Sequence, residues 1–214
     1  MKRLNIKFIP ELAEMRIGEV GSYLTATTLW HAINCVNWPD QFGYKPQTKF
    51  MIGRSESALY IHYKVDELDV KAIYATDQEP VWQDSCVEFF VQLPNDEGYA
   101  NFEFNCIGTA LATKRKSRNE GIRPFSIDEM ASIERHASLG REPLEKTGKT
   151  TWELTVKIPF GLIGITSIDK SAPLHTNLYK CGDATANPHY LSWSEIGTPT
   201  PDFHRPEFFG IMNL

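Results

Sequence analysis

The sequence predicts an all-β protein, built as an antiparallel β-sandwich with a few short helices. Several segments alternate apolar and polar residues, which is the pattern of strands that bury one face. Clusters of turn-forming residues separate these segments, and no long helical segments alternate with them. Many short strands joined by turns indicate two packed sheets. We expect one domain over residues 1–214, because no repeat or shift in composition marks a linker.

Four segments carry the strand pattern most clearly. In residues 59–65 (LYIHYKV) the odd-numbered positions are apolar, so we expect them to face the core and the even-numbered positions to face solvent or a ligand. Residues 85–93 (SCVEFFVQL) and 99–108 (YANFEFNCIG) alternate in the same way, and the turn residues 94–98 (PNDEG) between them predict a hairpin. Residues 150–159 (TTWELTVKIP) form the fourth strand, which ends at its proline because proline cannot donate to the ladder.

Helical signals are short and few. Ser126 has Glu129 three residues later, which is the capping-box pattern of a helix start. Residues 19–24 can form a second short helix. The longest predicted loops are rich in proline or glycine and cover residues 37–46, 164–173 and 197–210.

Charge and composition narrow the possible partners. The net charge is −5, so we expect neither nucleic acid nor an anionic membrane as a partner, and a neutral ligand fits better. No run reaches the roughly 18 apolar residues of a membrane helix. The N-terminus lacks the apolar stretch of an export signal, so the expected location is the cytoplasm unless a leader was removed. The four cysteines lack CxxC spacing, which favours buried free thiols. Nothing in the sequence sets the oligomeric state.

The segment VWQDSCVEFFVQL, residues 81–93, combines an aromatic plane with strong hydrogen-bond acceptors. Trp82 enters a strand beside Asp84, and Glu88 lies on one face of that strand. A pyranose ring has an apolar face that stacks on indole and a rim of hydroxyls that needs polar partners. The alternative is that Trp82 anchors the core and Asp84 caps a turn. A second tryptophan, Trp193, lies in HYLSWSEI just before a loop.

These segments resemble a known family. The strings VWQDSCVEFFV, YANFEFNCIG, TKRKSR, WELTVKIP, LYKCGD, HYLSWSEI and PDFHRPEFFGIMNL together resemble family 9 carbohydrate-binding modules, in particular the stand-alone bacterial proteins that carry this module. The resemblance runs from about residue 36 to the C-terminus. It implies an immunoglobulin- or DOMON-like sandwich that binds a saccharide without catalysis and requires no cofactor.

The resemblance also implies a site. In the family, two tryptophans sandwich a terminal sugar while a glutamate, an arginine and amide or lysine side chains bind its hydroxyls. By motif, Trp82 is similar to the first tryptophan and Glu88 to the glutamate, and Trp193 is the candidate for the second tryptophan. Arg115 and Asn105 are the candidate hydroxyl ligands.

Two features of this assignment stay open. The basic turn offers Lys114 and Arg118 as alternatives to Arg115. Family members often carry structural calcium, for which hard oxygen ligands are available without an EF-hand spacing. The candidate calcium ligands are Asp66, Asp69 and Asp84.

Two other functions are weighed against sugar binding. The sandwich can be structural or bind proteins after losing its sugar site. An accessory glycoside hydrolase would need two carboxylates across the scissile bond, which Glu88 and Glu103 could supply from neighbouring strands. Two ion pairs are also expected: one between Lys180 and Asp183, and one between Arg205 and a carboxylate. The histidines are in separate segments without a catalytic or metal motif, so we expect structural roles for them.

Overall fold

The structure is a computed structural model that describes residues 1–166 and 173–214. The predicted connection at residues 164–173 therefore lies mostly outside the described residues. The helices are α1 (Ile17–Thr27), α2 (Ile127–Ala131) and α3 (Phe160–Ile163). Short 3-10 turns cover Pro10–Ala13, Val81–Gln83 and Pro206–Phe208. Within the described ranges, no helix is long and apolar enough to cross a membrane.

The strands are β1 (Arg3–Asn5), β2 (Lys7–Phe8), β3 (His31–Ala32), β4 (Cys35–Val36), β5 (Gln47–Arg54), β6 (Ala58–Ala72), β7 (Cys86–Gln92), β8 (Tyr99–Asn105), β9 (Ala110–Arg115), β10 (Arg123–Pro124), β11 (Glu134–Ala137), β12 (Leu144–Pro159), β13 (Leu174–Cys181), β14 (Tyr190–Ser192) and β15 (Gly210–Asn213). They form two sheets. Sheet A has the order β1-β15-β13-β7-β8-β9-β10, with β14 and β4 extending from β13. Sheet B has the order β11-β12-β6-β5-β2, with β3 beside β5.

The two sheets form the predicted all-β sandwich. Most neighbouring strands are antiparallel, as expected, but the short N-terminal strands β1 and β2 pair in parallel with β15 and β5. The hairpin predicted around residues 94–98 joins β7 to β8. Asn95 in its turn has a left-handed backbone, which asparagine tolerates better than most residues.

The core lies between the sheets and follows the predicted alternation. The odd-numbered apolar positions of β6 and β7 and the even-numbered ones of β8 and β12 point inward and are buried. Trp152 of β12 and Phe89 of β7 are both fully buried there. Each such side chain contributes about 1.5–3 kcal/mol by leaving water. Burial of these period-two faces fixes the register of the alternating segments of these four strands.

The outer face of sheet B is covered by α1, which is a correction to the expectation that it meets solvent or a ligand. Tyr60 and His62, the even-numbered residues of β6, are only 1% and 5% exposed. Gly21 of α1 allows this contact, because a Cβ there would lie 2.7 Å from His62. The predicted helix at residues 19–24 is thus the middle of a longer helix that closes this face.

The predicted capping box starts α2. The Ser126 hydroxyl accepts from the backbone N–H of Glu129, and the Glu129 carboxylate accepts from the backbone N–H of Ser126. Glu129 also receives a two-pronged hydrogen bond from Arg123. The Ser126–Glu129 pattern therefore marks the start of the helix at the residue that the sequence predicts.

The predicted pair between Lys180 and Asp183 is wrong, because alternation along β13 turns Lys180 inward. Lys180 is fully buried between the sheets, where its ammonium lies 2.9 Å from the Glu67 carboxylate. It also donates to the carbonyl of Cys181 and to Nε2 of His189, each at 2.8 Å. Burial and the neighbouring Lys180 hold the pKa of His189 well below its ordinary value, so its ring is neutral and can accept. The carboxylate expected beside Arg205 is that of Glu207, whose Oε1 lies 2.6 Å from Nη2 of Arg205 on the surface.

Candidate functional site

A cavity of about 510 Å³ lies on the outer face of sheet A. Strands β7, β8, β9 and β13 form its floor, and the loops at residues 37–46 and 197–210 form its walls. Phe42 comes from the first loop, and Phe203 and His204 come from the second. The long proline-rich connections of the sequence therefore build the walls of a pocket over a rigid sheet.

Two glutamates lie side by side in the floor of the cavity. The register of the β7–β8 hairpin places Glu88 directly opposite Glu103, on the face that points away from the core. Both residues are buried, at 3% and 4% exposed. Val87 and Phe104, which neighbour them along the strands, are turned into the core. The same alternation that buries the apolar residues thus directs both carboxylates into the cavity.

The Glu103 carboxylate is only partly hydrogen-bonded. Its Oε1 accepts from Nδ2 of Asn101 at 2.8 Å, whereas its buried Oε2 has no hydrogen-bond partner. Burial raises the pKa of Glu103 to about 7, although Arg115 and Asn101 act in the opposite direction. Burial and the neighbouring Glu103 raise the pKa of Glu88 well above its ordinary value. Two buried carboxyls side by side disfavour double ionisation, so the pair retains a proton near neutral pH.

Arg115 ends β9 beside this pair and is held in place by polar neighbours. Its Nε donates to the Thr113 hydroxyl at 2.8 Å, and its Nη1 donates to the carbonyl of Arg118 at 3.0 Å. The Thr113 hydroxyl in turn donates to Oδ1 of Asn101, the residue that holds Glu103. A chain of side chains therefore fixes the guanidinium relative to the Glu103 carboxylate.

Trp82 lies at the edge of the cavity with 37% of its surface exposed. It is part of the 3-10 turn Val81–Gln83, which precedes Asp84. The Asp84 carboxylate is fully buried and accepts from the backbone N–H groups of Ile73 and Tyr74. Of the two interpretations of this segment, Asp84 does hold a turn, but Trp82 is not a core anchor. Its indole offers an exposed aromatic plane beside buried carboxylates.

Trp193 does not face Trp82 across the cavity, and this part of the predicted site is wrong. Trp193 is 3% exposed and packs edge-to-face against Phe50 in the core, with ring centroids 6.2 Å apart. Gly210 leaves room for the indole, because a Cβ there would lie 2.5 Å from its ring. Alternation past the end of β14 turns Trp193 inward and leaves Tyr190, three residues earlier, on the cavity side.

Asn105 is also placed away from the cavity. It is fully buried and uses its amide to hold the chain: Nδ2 donates to the carbonyl of Tyr74 and to Asp84, and Oδ1 accepts from the N–H of Thr109. These bonds occupy the groups that a sugar hydroxyl would need. Asn105 therefore supports the turn that carries Trp82 and does not line the cavity.

Strand alternation separates Lys114 from Arg115 at the end of β9, and Arg118 follows in the turn. Arg118 lines the cavity with Arg115, and its Nη1 lies 3.5 Å from Oδ1 of Asp202. Lys114 points to the other face of β9 and lines a smaller depression outside the site. The cavity therefore receives two arginines from this turn.

The three aspartates considered for calcium do not form a group. Asp66 accepts from the Thr151 hydroxyl at 2.5 Å. Asp69 accepts from the backbone of Gly148 and from Asn187. Asp84 accepts from the Ile73–Tyr74 backbone. No ligand set for calcium built from these three residues is evident in the described part of the chain.

Cys86, Glu88 and Cys181 form a different cluster, in which the donor atoms lie within 4.8 Å of one another. The Cys181 thiol donates to Oε1 of Glu88 at 3.1 Å, and burial raises the pKa of Cys86 to about 12. Both thiols are thus protonated: that of Cys181 fixes Glu88, and that of Cys86 donates to the backbone carbonyl of Val87. Along with Cys106 they match the prediction of buried free cysteines, whereas Cys35 is only half-buried.

Several cavity residues were not among the predicted ligands. The sequence predicts Glu103 only as a hydrolase carboxylate, although its place on the polar face of the predicted strand at residues 99–108 is a local signal for it. Asp183, the predicted partner of Lys180, lines the cavity instead. Burial raises the pKa of Asp183 to about 6, while the Tyr190 hydroxyl and Arg118 act in the opposite direction. Phe42 and Tyr190 pack edge-to-face with centroids 4.8 Å apart and give the cavity an aromatic wall. No local signal identifies that wall, because its two residues are far apart in the sequence.

The comparisons with known proteins agree with this architecture. The family model for carbohydrate-binding family 9 matches residues 22–214. A candidate carbohydrate-binding protein from Bacteroides uniformis is 37% identical, covers 99% of this chain and 98% of its own, and superposes with a TM-score of 0.93.

Two more distant structures share the fold. They are family 9 carbohydrate-binding modules from Caldicellulosiruptor kristjanssonii in complex with glucose (11% identity, 99% and 95% coverage, TM-score 0.58) and with cellotriose (10% identity, 99% and 93% coverage, TM-score 0.61). No curated protein matches the chain. From the extent of the family match, the chain belongs to carbohydrate-binding family 9.

Proposed function

We propose that this protein binds a saccharide without catalysis, in the cavity on the outer face of sheet A. The sugar, a chain end or a small saccharide, stacks its apolar face on Trp82. Glu88, Glu103 and Arg115 bind its hydroxyls from the floor. The observation that carries this proposal is the pairing of an exposed indole with a buried carboxylate whose Oε2 has no partner, both lining one cavity.

The shape and chemistry of the cavity support a small polar ligand. A volume of about 510 Å³ is in the range of small-molecule pockets, which are roughly 300–1,000 Å³. The aromatic rings of Trp82, Phe42 and Tyr190 provide apolar contact at its sides, and the charged groups lie in its floor. Relatives by fold are described in complex with glucose and cellotriose, which supports the same ligand class here.

The position of the two glutamates argues for binding over hydrolysis. A glycosidase places its two carboxyls on opposite sides of the scissile bond, roughly 5–10 Å apart. Glu88 and Glu103 rise next to each other from one face of one sheet, so both approach a sugar from the same side. We therefore expect that neither the parent protein nor Glu88→Gln hydrolyses glycosides.

Sugar binding can be tested by calorimetry and tryptophan fluorescence with a panel of mono- and oligosaccharides. We expect Trp82→Ala to weaken binding by at least about tenfold, or ~1.4 kcal/mol, because it removes the stacking plane. Trp30→Ala is the matched control, since Trp30 packs against His62 and Lys49 on sheet B and does not line the cavity. Its affinity should match that of the parent.

Two results would contradict this proposal. Equal affinities of the parent and Trp82→Ala would remove Trp82 from the site. Flat titrations of a folded protein against the whole panel would favour the alternative, in which the sandwich is structural or binds proteins.

A further inference from the structure

Oε2 of Glu103 is a buried carboxylate oxygen with no hydrogen-bond partner, and Glu103 lines the cavity. Burying such an oxygen costs free energy unless a donor satisfies it. Protein donors already use Oε1, through Asn101, so Oε2 is the acceptor that remains for a ligand. This atom indicates what the ligand must present at the cavity floor: a hydrogen-bond donor that suits a carboxylate.

The charges around the cavity indicate which kind of donor it is. The lining residues carry four carboxyls, Glu88, Glu103, Asp183 and Asp202, against the two guanidinium groups of Arg115 and Arg118. Arg118 is beside Asp202. Arg115 already donates through Nε and Nη1 to protein oxygens. The cavity therefore has an excess of carboxyl groups over cations.

We propose that the sugar bound here carries a protonated amine, as glucosamine and related amino sugars do, and that this amine contacts Glu103. An ammonium has three donors and a positive charge, whereas a hydroxyl has one donor and no charge. Glu88 lies directly opposite Glu103, so one ammonium can contact both carboxyls. The inference rests on the proposed function, because it concerns the ligand class of the same cavity.

The protonation of the floor supports this choice. Without a ligand, burial raises the pKa of Glu103 to about 7, and burial together with Glu103 raises the pKa of Glu88 well above its ordinary value, so a proton on Glu103 reduces the charge of the pair below about pH 7. A bound ammonium would replace the proton on Glu103. Binding should therefore strengthen as pH rises through about 7, until the amine itself loses its proton. The other titratable and charged groups around Glu103 are Cys86, Tyr99, Arg115, Arg118, Tyr179, Cys181, Asp183, Asp202 and His204.

These neighbours do not reverse the expected sign. Burial, Arg115 and Arg118 lower the pKa of His204 to about 3, so its ring is neutral throughout this range. The pKa of Asp183 is about 6, so this carboxyl also becomes anionic as pH rises. His204 therefore adds no charge, while ionisation of Glu103 and Asp183 leaves the cavity more negative at about pH 7.5 than at about pH 5.5, which favours a cation.

The test compares sugars that differ only in the amine, by calorimetry at about pH 7 and low salt. The pairs are glucosamine and glucose, galactosamine and galactose, and mannosamine and mannose, with N-acetylglucosamine and glucuronate as a neutral amide and an anion. We expect at least one amino sugar to bind about tenfold more tightly than its neutral partner. We also expect its affinity to rise about tenfold between about pH 5.5 and pH 7.5, and glucuronate to bind more weakly than glucose.

Glu103→Gln is the decisive variant, because it keeps the shape of the side chain and removes its charge. It should abolish the preference for the amine, so that the amino sugar and its neutral partner bind to this variant within about threefold of each other. Glu153→Gln is the matched control, since Glu153 pairs with Lys64 on sheet B, outside the cavity, and should keep the preference. Circular dichroism establishes that both variants are folded.

The outcomes separate this inference from the proposed function. If neutral hexoses bind as tightly as their amino partners, or if Glu103→Gln keeps the preference, the amine is not recognised and the saccharide site stands. If neither class binds to the folded protein, both the inference and the proposed function fail.

Discussion

The buried ion pair between Lys180 and Glu67 can be tested by removing its ammonium. Lys180→Met keeps an unbranched side chain but removes the ammonium that lies 2.9 Å from the Glu67 carboxylate. Both side chains are at most 1% exposed, so water cannot replace the lost partner. Glu67 would then keep the indole N–H of Trp152 as its remaining donor.

The expected loss of stability follows from that burial. Removing one member of a buried pair leaves an uncompensated charge and costs about 3–5 kcal/mol in the free energy of unfolding. For a chain of this length, 1 kcal/mol shifts Tm by roughly 2–4 °C, so we expect Tm to fall by about 10 °C. Replacing both residues, as Glu67→Gln with Lys180→Met, leaves no unpaired charge and should recover much of the loss.

Urea unfolding followed by tryptophan fluorescence measures these differences. Lys64→Met is the matched control, because Lys64 pairs with Glu153 at the surface, where both side chains are more than 30% exposed; it should cost less than about 1 kcal/mol. Asp183→Asn tests the pairing that the sequence suggested and should also have a small effect. A Lys180→Met variant as stable as Lys64→Met would refute the buried pair, and a large loss in Asp183→Asn would restore the predicted one.

Two further predictions concern Trp193 and Glu103. Because Trp193 fills the core beside Phe50, Trp193→Ala should lower the free energy of unfolding by about 3–5 kcal/mol and leave the affinity of the folded protein for its sugar nearly unchanged. Urea unfolding measures the first effect and calorimetry the second. A variant that kept its stability but lost its affinity would contradict this prediction. The pKa of Glu103 rises from 4.5 to about 7 on folding, so the folded state binds more protons in that interval and its stability falls as pH rises through it, by about 3 kcal/mol in total. This contribution to stability is complete below about pH 4.5. Urea unfolding of the parent and Glu103→Gln at several pH values should show that the variant lacks it. If the stability of the two proteins changed with pH in parallel, Glu103 would not be the group responsible.

Most of the strand architecture could be predicted from local patterns. Alternation in residues 59–65, 85–93 and 150–159 identifies the buried faces, because period-two side chains alternate across a strand wherever it is placed. The capping box at Ser126 is equally local, since its hydrogen bonds span only three residues. What covers each outer face is not local. Sheet B is closed by α1, and nothing within 59–65 indicates that a helix would pack there.

The candidate site shows the same division. Trp82 and Glu88 are predicted from their segment and from the family resemblance, Arg115 is predicted from the resemblance, and all three line one cavity. The resemblance also implies Trp193 and Asn105, which do not line the cavity. A tryptophan near a loop and an asparagine on a polar face fit a structural role as well as a ligand-binding one. Their environments depend on segments that are distant in the sequence.

The sequence alone determined the class of fold, the inward faces of the long strands and the position of an indole next to a strand carrying a carboxylate, because each depends on neighbours a few residues apart. Only the tertiary structure decided that Glu103 lies opposite Glu88, that Lys180 pairs with Glu67 and that Tyr190 replaces Trp193 at the cavity. Those contacts depend on strand register and sheet packing. Some of them join residues more than a hundred positions apart, as Lys180 and Glu67 are, and local sequence carries no record of which distant segment will supply the partner.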